Sequence, residues 1–232
     1  MKFFANLAIR ILPPDYKKSY LAWRVIAHDY AHLSTIRKSE CRDAAGNPLP
    51  WYTYPAIECL DKMNLFGKTV FEYGSGFSTL YWSKKAKSVT AVEHDKSWFE
   101  KISPQAPPNT TIHYVPEMDR YAQAPLQIPG SGGKYDIIIV DGQERYKCAQ
   151  AALQCLKDDG FIILDNADWF PNTVNLLSNA GLIRIDLIGL GPINVYTWNT
   201  MLFLKRNLKI EYNPPVPIAT HIEQQAKDDI TH

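Results

Sequence analysis

The chain has 232 residues, 25 Lys and Arg against 24 Asp and Glu, a formal net charge of +1, and a 46% hydrophobic fraction. That composition is ordinary for a folded protein and excludes wholesale disorder. The balanced charge argues against a dedicated nucleic-acid binder, which would concentrate basic residues on one face. The length suits one good-sized α/β domain with an extension rather than two domains. Cys41, Cys59, Cys148 and Cys155 make no CxxC pair and no zinc spacing. They read as reduced, buried thiols of a cytoplasmic protein, with Cys148 and Cys155 on one helix and one core face.

The first residues, Met1–Leu12, hold an apolar run from Phe3 to Ile9 that Arg10 interrupts. The run is too short to span a bilayer, and Pro13-Pro14-Asp15 is a poor cleavage region. Residues 1–38 carry seven basic side chains against Asp15 and Asp29, a local +5. Two readings stay open: a basic amphipathic start lying on an anionic membrane, or a helix packed on its own domain or on the second subunit of a homodimer. Tyr16–Ile36 has apolar residues at helical spacing, Leu21, Val25 and Ile26 among them. Turns fall at Pro13-Pro14 and Gly46–Pro50. Pro55–Asn64 predicts a short helix with Ile57, Leu60 and Met63 on one side. Residues 1–67 thus form a helical N-terminal extension.

From Thr69 onward strands and helices alternate, the pattern of a parallel sheet with helices on both faces. Strands are expected at Thr69–Tyr73, Ser88–Glu93, Thr111–Val115, Tyr135–Asp141 and Gly160–Leu164. The runs Ile137–Val140 and Phe161–Leu164 are continuously apolar, as in strands covered on both faces. Helices fit at Ser78–Lys85, Ser97–Ile102, Glu144–Lys157 and Thr173–Asn179, with Gly160 and Gly181 placed as helix C-terminal glycines. Leu182–Ile188 and Thr200–Lys205 read as an antiparallel closing pair. This α/β domain covers residues 68–206. The tail, 207–232, contains Pro214-Pro215 and Pro217 and is expected to be partly disordered.

Chemistry concentrates at the first strand and its loop, Glu72-Tyr73-Gly74-Ser75-Gly76-Phe77-Ser78-Thr79. Glycines at 74 and 76 let the backbone turn sharply and approach a ligand, and the next helix opens with free N–H groups near Ser75 and Ser78. A lone GxG is weak; here it follows a strand and opens a helix, as a nucleotide cradle requires. A dinucleotide site normally has a third glycine beneath the pyrophosphate, and this chain has Thr79 there. Glu72 would repel a pyrophosphate but suits a ligand bearing a positive amino group. The other reading of Glu72 is a cap for the following helix or an ion-pair partner.

Glu72-x-Gly74-x-Gly76 with Ser78, followed by Val92-Glu93-His94 at the end of the second strand, resembles the class I S-adenosylmethionine-dependent methyltransferases. The resemblance runs from about Thr69 to Lys205 and is strongest between Val70 and Asn166. It implies a doubly wound, mostly parallel seven-stranded sheet whose last strand is antiparallel. It also implies that Glu72 and the loop Gly74-Ser75-Gly76 contact the methionine part of the cofactor, and that Glu93 accepts hydrogen bonds from both ribose hydroxyls. A carboxylate suits that role, because it can receive two neighbouring O–H donors. Met118 and Asp119 would lie against the adenine, with His94 as their neighbour.

Asp141 ends the fourth strand and Asp165-Asn166 the fifth; ligands of open α/β sheets bind beyond such carboxyl ends. Two carboxylates and an amide oxygen make a hard-cation set for Mg²⁺, similar to that of the metal-dependent O-methyltransferase branch, where the cation would bind the acceptor oxygen. The alternative for Asp165-Asn166 is a capped turn into the Trp169 helix. Asp141 is the candidate general base, with Arg145, Tyr146 and Trp169 as pocket-lining residues. The Asn-Pro-Pro-Tyr motif of amino methyltransferases is absent after the fourth strand; Tyr212-Asn213-Pro214-Pro215 lies in the tail instead. The aromatic segments Trp51–Pro55 and Tyr196–Asn199 either wall an acceptor pocket or pack the extension onto the domain. The expected function is methyl transfer to the oxygen of a small-molecule acceptor. A nicotinamide-dependent oxidoreductase on the same fold and a non-catalytic scaffold are the alternatives.

Overall fold

A computed structural model describes residues 13–128 and 133–213. The apolar run of Met1–Leu12 and the proline-rich tail from Pro214 lie outside the described residues.

Seven strands form one sheet: β1 (Thr69–Tyr73), β2 (Ser88–Glu93), β3 (Thr110–Tyr114), β4 (Tyr135–Val140), β5 (Leu156–Leu164), β6 (Ile183–Gly189) and β7 (Trp198–Leu204). Their order is β3-β2-β1-β4-β5-β7-β6. The first five pair in parallel, and β7 runs antiparallel to both neighbours. Side-chain alternation then divides the core. Ile138 and Val140 of β4 face one layer, with Cys148, Ala149, Ala152 and Cys155 of α8 (Arg145–Cys155) and Leu177 of α9 (Pro171–Asn179). Ile137 and Ile139 face the other, with Trp82 of α4 (Phe77–Lys85) and Ile57 and Leu60 of α3 (Tyr54–Asp61). β4 is buried at all six positions, so its continuous apolar run is explained by cover on both faces.

The bottom of the sheet is pinned by Asp136, which accepts from the Thr69 backbone (2.8 Å) and hydroxyl (2.7 Å) and pairs with Lys157 (2.8 Å). Burial works against its charge, but those donors prevail and hold its pKa down at about 2.

Gly160 is not a helix terminus. The α8 helix ends at Cys155 and the chain enters β5 at Leu156, with a register irregularity between Tyr135 and Ile137 on the partner strand. A Cβ on Gly160 would lie 2.5 Å from the Asp136 carbonyl oxygen, so the glycine serves close strand approach at a bulge. Gly181 does sit just past α9, in the left-handed conformation at φ +76°.

The extension differs from a single helix over Tyr16–Ile36. It breaks into α1 (Pro14–Arg24), a π-helical turn (Val25–Asp29) and α2 (His32–Lys38), with Ala31 at φ +56° between the last two. Leu21 is 44% exposed, and α1 has no buried residue. From Tyr52 the extension joins the sheet: Thr53 N–H donates to the Thr200 hydroxyl (3.1 Å), and Ile57, Leu60 and Met63 are buried together as the spacing implied. The shorter helices α5 (Lys96–Ile102), α6 (Met118–Ala122) and α7 (Ala124–Gln127) complete the connections. No helix among the described residues is long and apolar enough to cross a membrane.

Candidate active site: two cavities that meet at Asp141

Beyond the carboxyl ends of β1, β2 and β4 lies a polar cleft of about 430 Å³. Its floor is the glycine loop. Gly74 adopts φ +91° and donates to the Val92 carbonyl (2.9 Å), which draws the loop across the end of β2. Gly76 N–H donates to the Thr79 hydroxyl (2.9 Å), and that hydroxyl donates to Glu72 Oε2 (2.5 Å). Thr79, where a dinucleotide site has its third glycine, therefore locks the first turn of α4 onto the β1 carboxyl. Glu72 thus ties down the helix and also lines the cleft. It is 1% exposed. Burial pushes its pKa up to about 8, against hydrogen bonds from Ser78 and Thr79, and Asp141 and Glu93 raise it further.

Glu93 also lines the cleft, with a carboxylate already fully engaged. Oε1 accepts from the backbone of His94 (2.8 Å) and Asp95 (2.9 Å); Oε2 accepts from the Ser75 backbone (2.9 Å) and hydroxyl (3.0 Å). A diol reaches it only in exchange for the rotatable Ser75 hydroxyl. His94 lines the same cleft. Its Nδ1 stands 3.1 Å from Glu93 Oε1 without hydrogen-bond alignment, and is a buried polar atom lacking a bonded partner. Tyr121 Oη is a second such atom, and the two rings meet edge to face with centroids 5.9 Å apart. A Cβ on Gly142 would lie 1.9 Å from Tyr121 Oη, so the loop after β4 passes directly over the phenol.

Met118 and Asp119 are not among the cleft-lining residues. Asp119 is exposed and pairs with Lys147 (3.0 Å) on the surface of α8. The chain turns into α6 at Met118, and it is Tyr121, one turn on, that points back at the sheet. Trp98 is the residue that sequence reasoning missed. Asp95 caps α5 by accepting from Trp98 N–H (2.8 Å), and the indole N–H donates to the Ser75 carbonyl. The Asp-x-x-Trp spacing after β2 was the available signal.

These features fit S-adenosylmethionine: a buried carboxyl for a positive group, an acidic strand end for a diol, an unpartnered His94 ring nitrogen for a base, and a cradle closed to side chains. The proposed metal set does not fit a cation. Asp141, Asp165 and Asn166 do converge, but on the guanidinium of Arg145. That group donates to Asp141 Oδ1 (3.0 Å), Asn166 Oδ1 (3.2 Å) and the carbonyls of Gly142 (3.0 Å) and Asp165, and it stacks on Phe170 (4.5 Å). Asp165 Oδ1 is taken by the Thr200 hydroxyl (2.5 Å) and the Trp198 indole (3.0 Å). A divalent ion there would face a fixed cation and spent oxygens. Among the described residues no group of three or more His, Cys, Asp and Glu side chains suits a metal ion. Burial and then the Asp141 charge raise the Asp165 pKa well above the carboxylate range; burial also raises Asp141, opposed by Arg145. Burial and mutual repulsion thus favour a shared proton on this pair, opposed by the Arg145 charge.

A second cavity of about 380 Å³ adjoins the first. Ser75, Ser78, Trp98 and Asp141 line both. Its other walls are Trp51, Phe77, Trp169 and Tyr196, with Cys41, whose thiol pKa burial and Asp141 push up to about 12. The aromatic segments divide between the two expected roles. Trp51 and Tyr196 wall the cavity, whereas Tyr52, Tyr54 and Trp198 are buried packing. Tyr146 is exposed and lines neither cavity. Ile193 holds a left-handed backbone at φ +69°, a strained conformation for a β-branched residue. Its N–H donates to the Thr35 hydroxyl (2.9 Å), which binds this wall to α2.

No family model and no curated protein matches the chain. Solved structures do resemble it. Precorrin-6y C5,15-methyltransferase of Geobacter metallireducens is 14% identical with a TM-score of 0.49, over 65% of this chain and 87% of that one. Spermidine synthase of Thermotoga maritima is 15% identical with a TM-score of 0.45, over 60% and 53%. The O-methyltransferase TomG of Streptomyces achromogenes, solved with S-adenosylmethionine, is 16% identical with a TM-score of 0.47, over 65% and 77%. At such identities every residue assignment rests on this chain's own geometry. Its sheet, with five parallel strands, β7 reversed and the glycine loop after β1, has a Rossmann-like α/β architecture.

Proposed function

We propose that the protein transfers a methyl group from S-adenosylmethionine to an oxygen of a small-molecule acceptor. The observation that carries this reading is the shared wall: a polar cleft and an aromatic cavity meet at Ser75, Ser78, Trp98 and Asp141. A donor and an acceptor bound side by side there gain the near-attack placement that dominates an in-line displacement.

The sulfonium of the bound cofactor supplies an activated methyl group. Glu72 holds the positive amino end and gives up its proton as that charge arrives. Glu93 receives the ribose, and His94 faces the base. Trp51, Trp169 and Tyr196 hold a flat acceptor by ring contact. Asp141 accepts the hydroxyl proton of the acceptor, and Arg145 keeps it ionised and aimed.

Calorimetric titration with S-adenosylhomocysteine and with NADH tests the donor. Binding of the first alone is expected; binding of NADH alone refutes the reading and favours an oxidoreductase. Cofactor binding without methyl transfer to any of a broad panel of hydroxylated acceptors favours a scaffold.

A further inference from the structure

We infer that α1 docks the protein onto an anionic lipid surface. An isolated helix of 11 residues is marginal in water and normally forms because a face of it packs on the protein. No residue of α1 is buried. Instead Tyr16, Tyr20 and Trp23 recur at i, i+4 and i+7 and form one aromatic row, with Tyr16 65% and Trp23 49% exposed and the Tyr20 and Trp23 rings 5.6 Å apart. Lys17 and Arg24 flank the row on the same side as Leu21. Amphipathic rings bordered by Lys and Arg suit the headgroup boundary of a bilayer.

Charge selects this occupant. Among the described residues, 13–38 carry +3 while those from 39 to 213 carry −2. The described extension is therefore the segment an anionic surface attracts, and the described remainder is net acidic. A second copy would set two basic helices against each other. The inference is independent of the methyltransferase reading, since α1 touches neither cavity.

The test is co-sedimentation of the full chain with phosphatidylcholine vesicles, with and without phosphatidylserine. The chain is expected to pellet with the anionic vesicles, to stay in solution with the neutral ones, and to be released by salt. At about five-fold per basic residue near the surface, K17E/K18E/R24E should lower the partition coefficient by on the order of 100-fold or more. Trp23→Ala should lower it several-fold. Unchanged thermal unfolding shows that these exposed substitutions leave the fold intact. Failure to pellet with anionic vesicles, equal pelleting with neutral ones, or parental binding by the triple variant overturns the inference. So does a dimer in light scattering that the triple variant dissolves.

Discussion

Glu72→Gln separates what the donor cleft does for binding from what it does to stability. In the free protein the Glu72 carboxyl is 1% exposed, with a pKa of about 8 against an ordinary 4.5. Below pH 4.5 the folded and unfolded chains both keep the proton, and the group has no effect on stability. Between 4.5 and about 8 the unfolded chain ionises while the folded one does not, so stability falls as pH rises. At about 1.4 kcal/mol per pH unit, the deficit at pH 7 is on the order of 3 kcal/mol. Glutamine does not titrate, and it keeps an oxygen for the Thr79 hydroxyl. The variant is therefore expected to be the more stable protein at pH 7, with a Tm roughly 6–12 °C higher, and to match the parent near pH 4.5. Cofactor binding should move the other way. Calorimetry should show weaker S-adenosylmethionine binding by the variant, and parental affinity that rises towards pH 8 with release of a proton. Denaturant unfolding across this range decides the matter. A variant no more stable than the parent at pH 7, together with parental stability that is flat from pH 5 to 8, refutes a protonated Glu72.

Three further outcomes follow from the geometry. Methyl transfer should survive a strong chelator, because Arg145 occupies the point where the strand-end oxygens converge; loss of activity restored by Mg²⁺ would overturn that assignment. Arg145→Met leaves Asp141 without its counter-charge and should cost about 3 kcal/mol in urea unfolding, whereas an unchanged midpoint would show the guanidinium to be dispensable. Gly142→Ala forces its Cβ against Tyr121 Oη. A destabilisation of about 1–3 kcal/mol is expected, and adding Tyr121→Phe should restore part of it; a Gly142→Ala variant as stable as the parent would show that the loop does not rest on the Tyr121 phenol.

The strands β1 and β2 were legible to the residue, the first because the loop after it carries two glycines, and the continuous apolar run of β4 reflects burial on both faces. The gathering of Glu72, Glu93 and Asp141 was legible too, since strand order brings the ends of parallel strands to one edge. What escaped depends on partners far away in sequence. Nothing near Gly160 reveals the Asp136 carbonyl that forbids it a side chain. Nothing near Asp165 reveals that Thr200 and Trp198 use its oxygen. Arg145 read as a pocket residue, but only the fold shows it seated among the expected metal ligands. The helical spacing of Leu21 was real, yet periodicity reports a face and not what covers it.

The two cavities are built over very different lengths of chain. The donor loop is closed by hydrogen bonds spanning 3, 7 and 18 residues. The aromatic wall is closed by Ile193 to Thr35 across 158 residues and by Thr53 to Thr200 across 147. Long loops carry the larger closure entropy and form late. On folding, the glycine loop is therefore expected to assemble before the wall that faces it. On warming, the Thr35–Ile193 strap is the first to part, and amide exchange at Ile193 should outrun exchange at Gly76. Partial melting then leaves the polar cleft formed while the aromatic cavity has lost its shape.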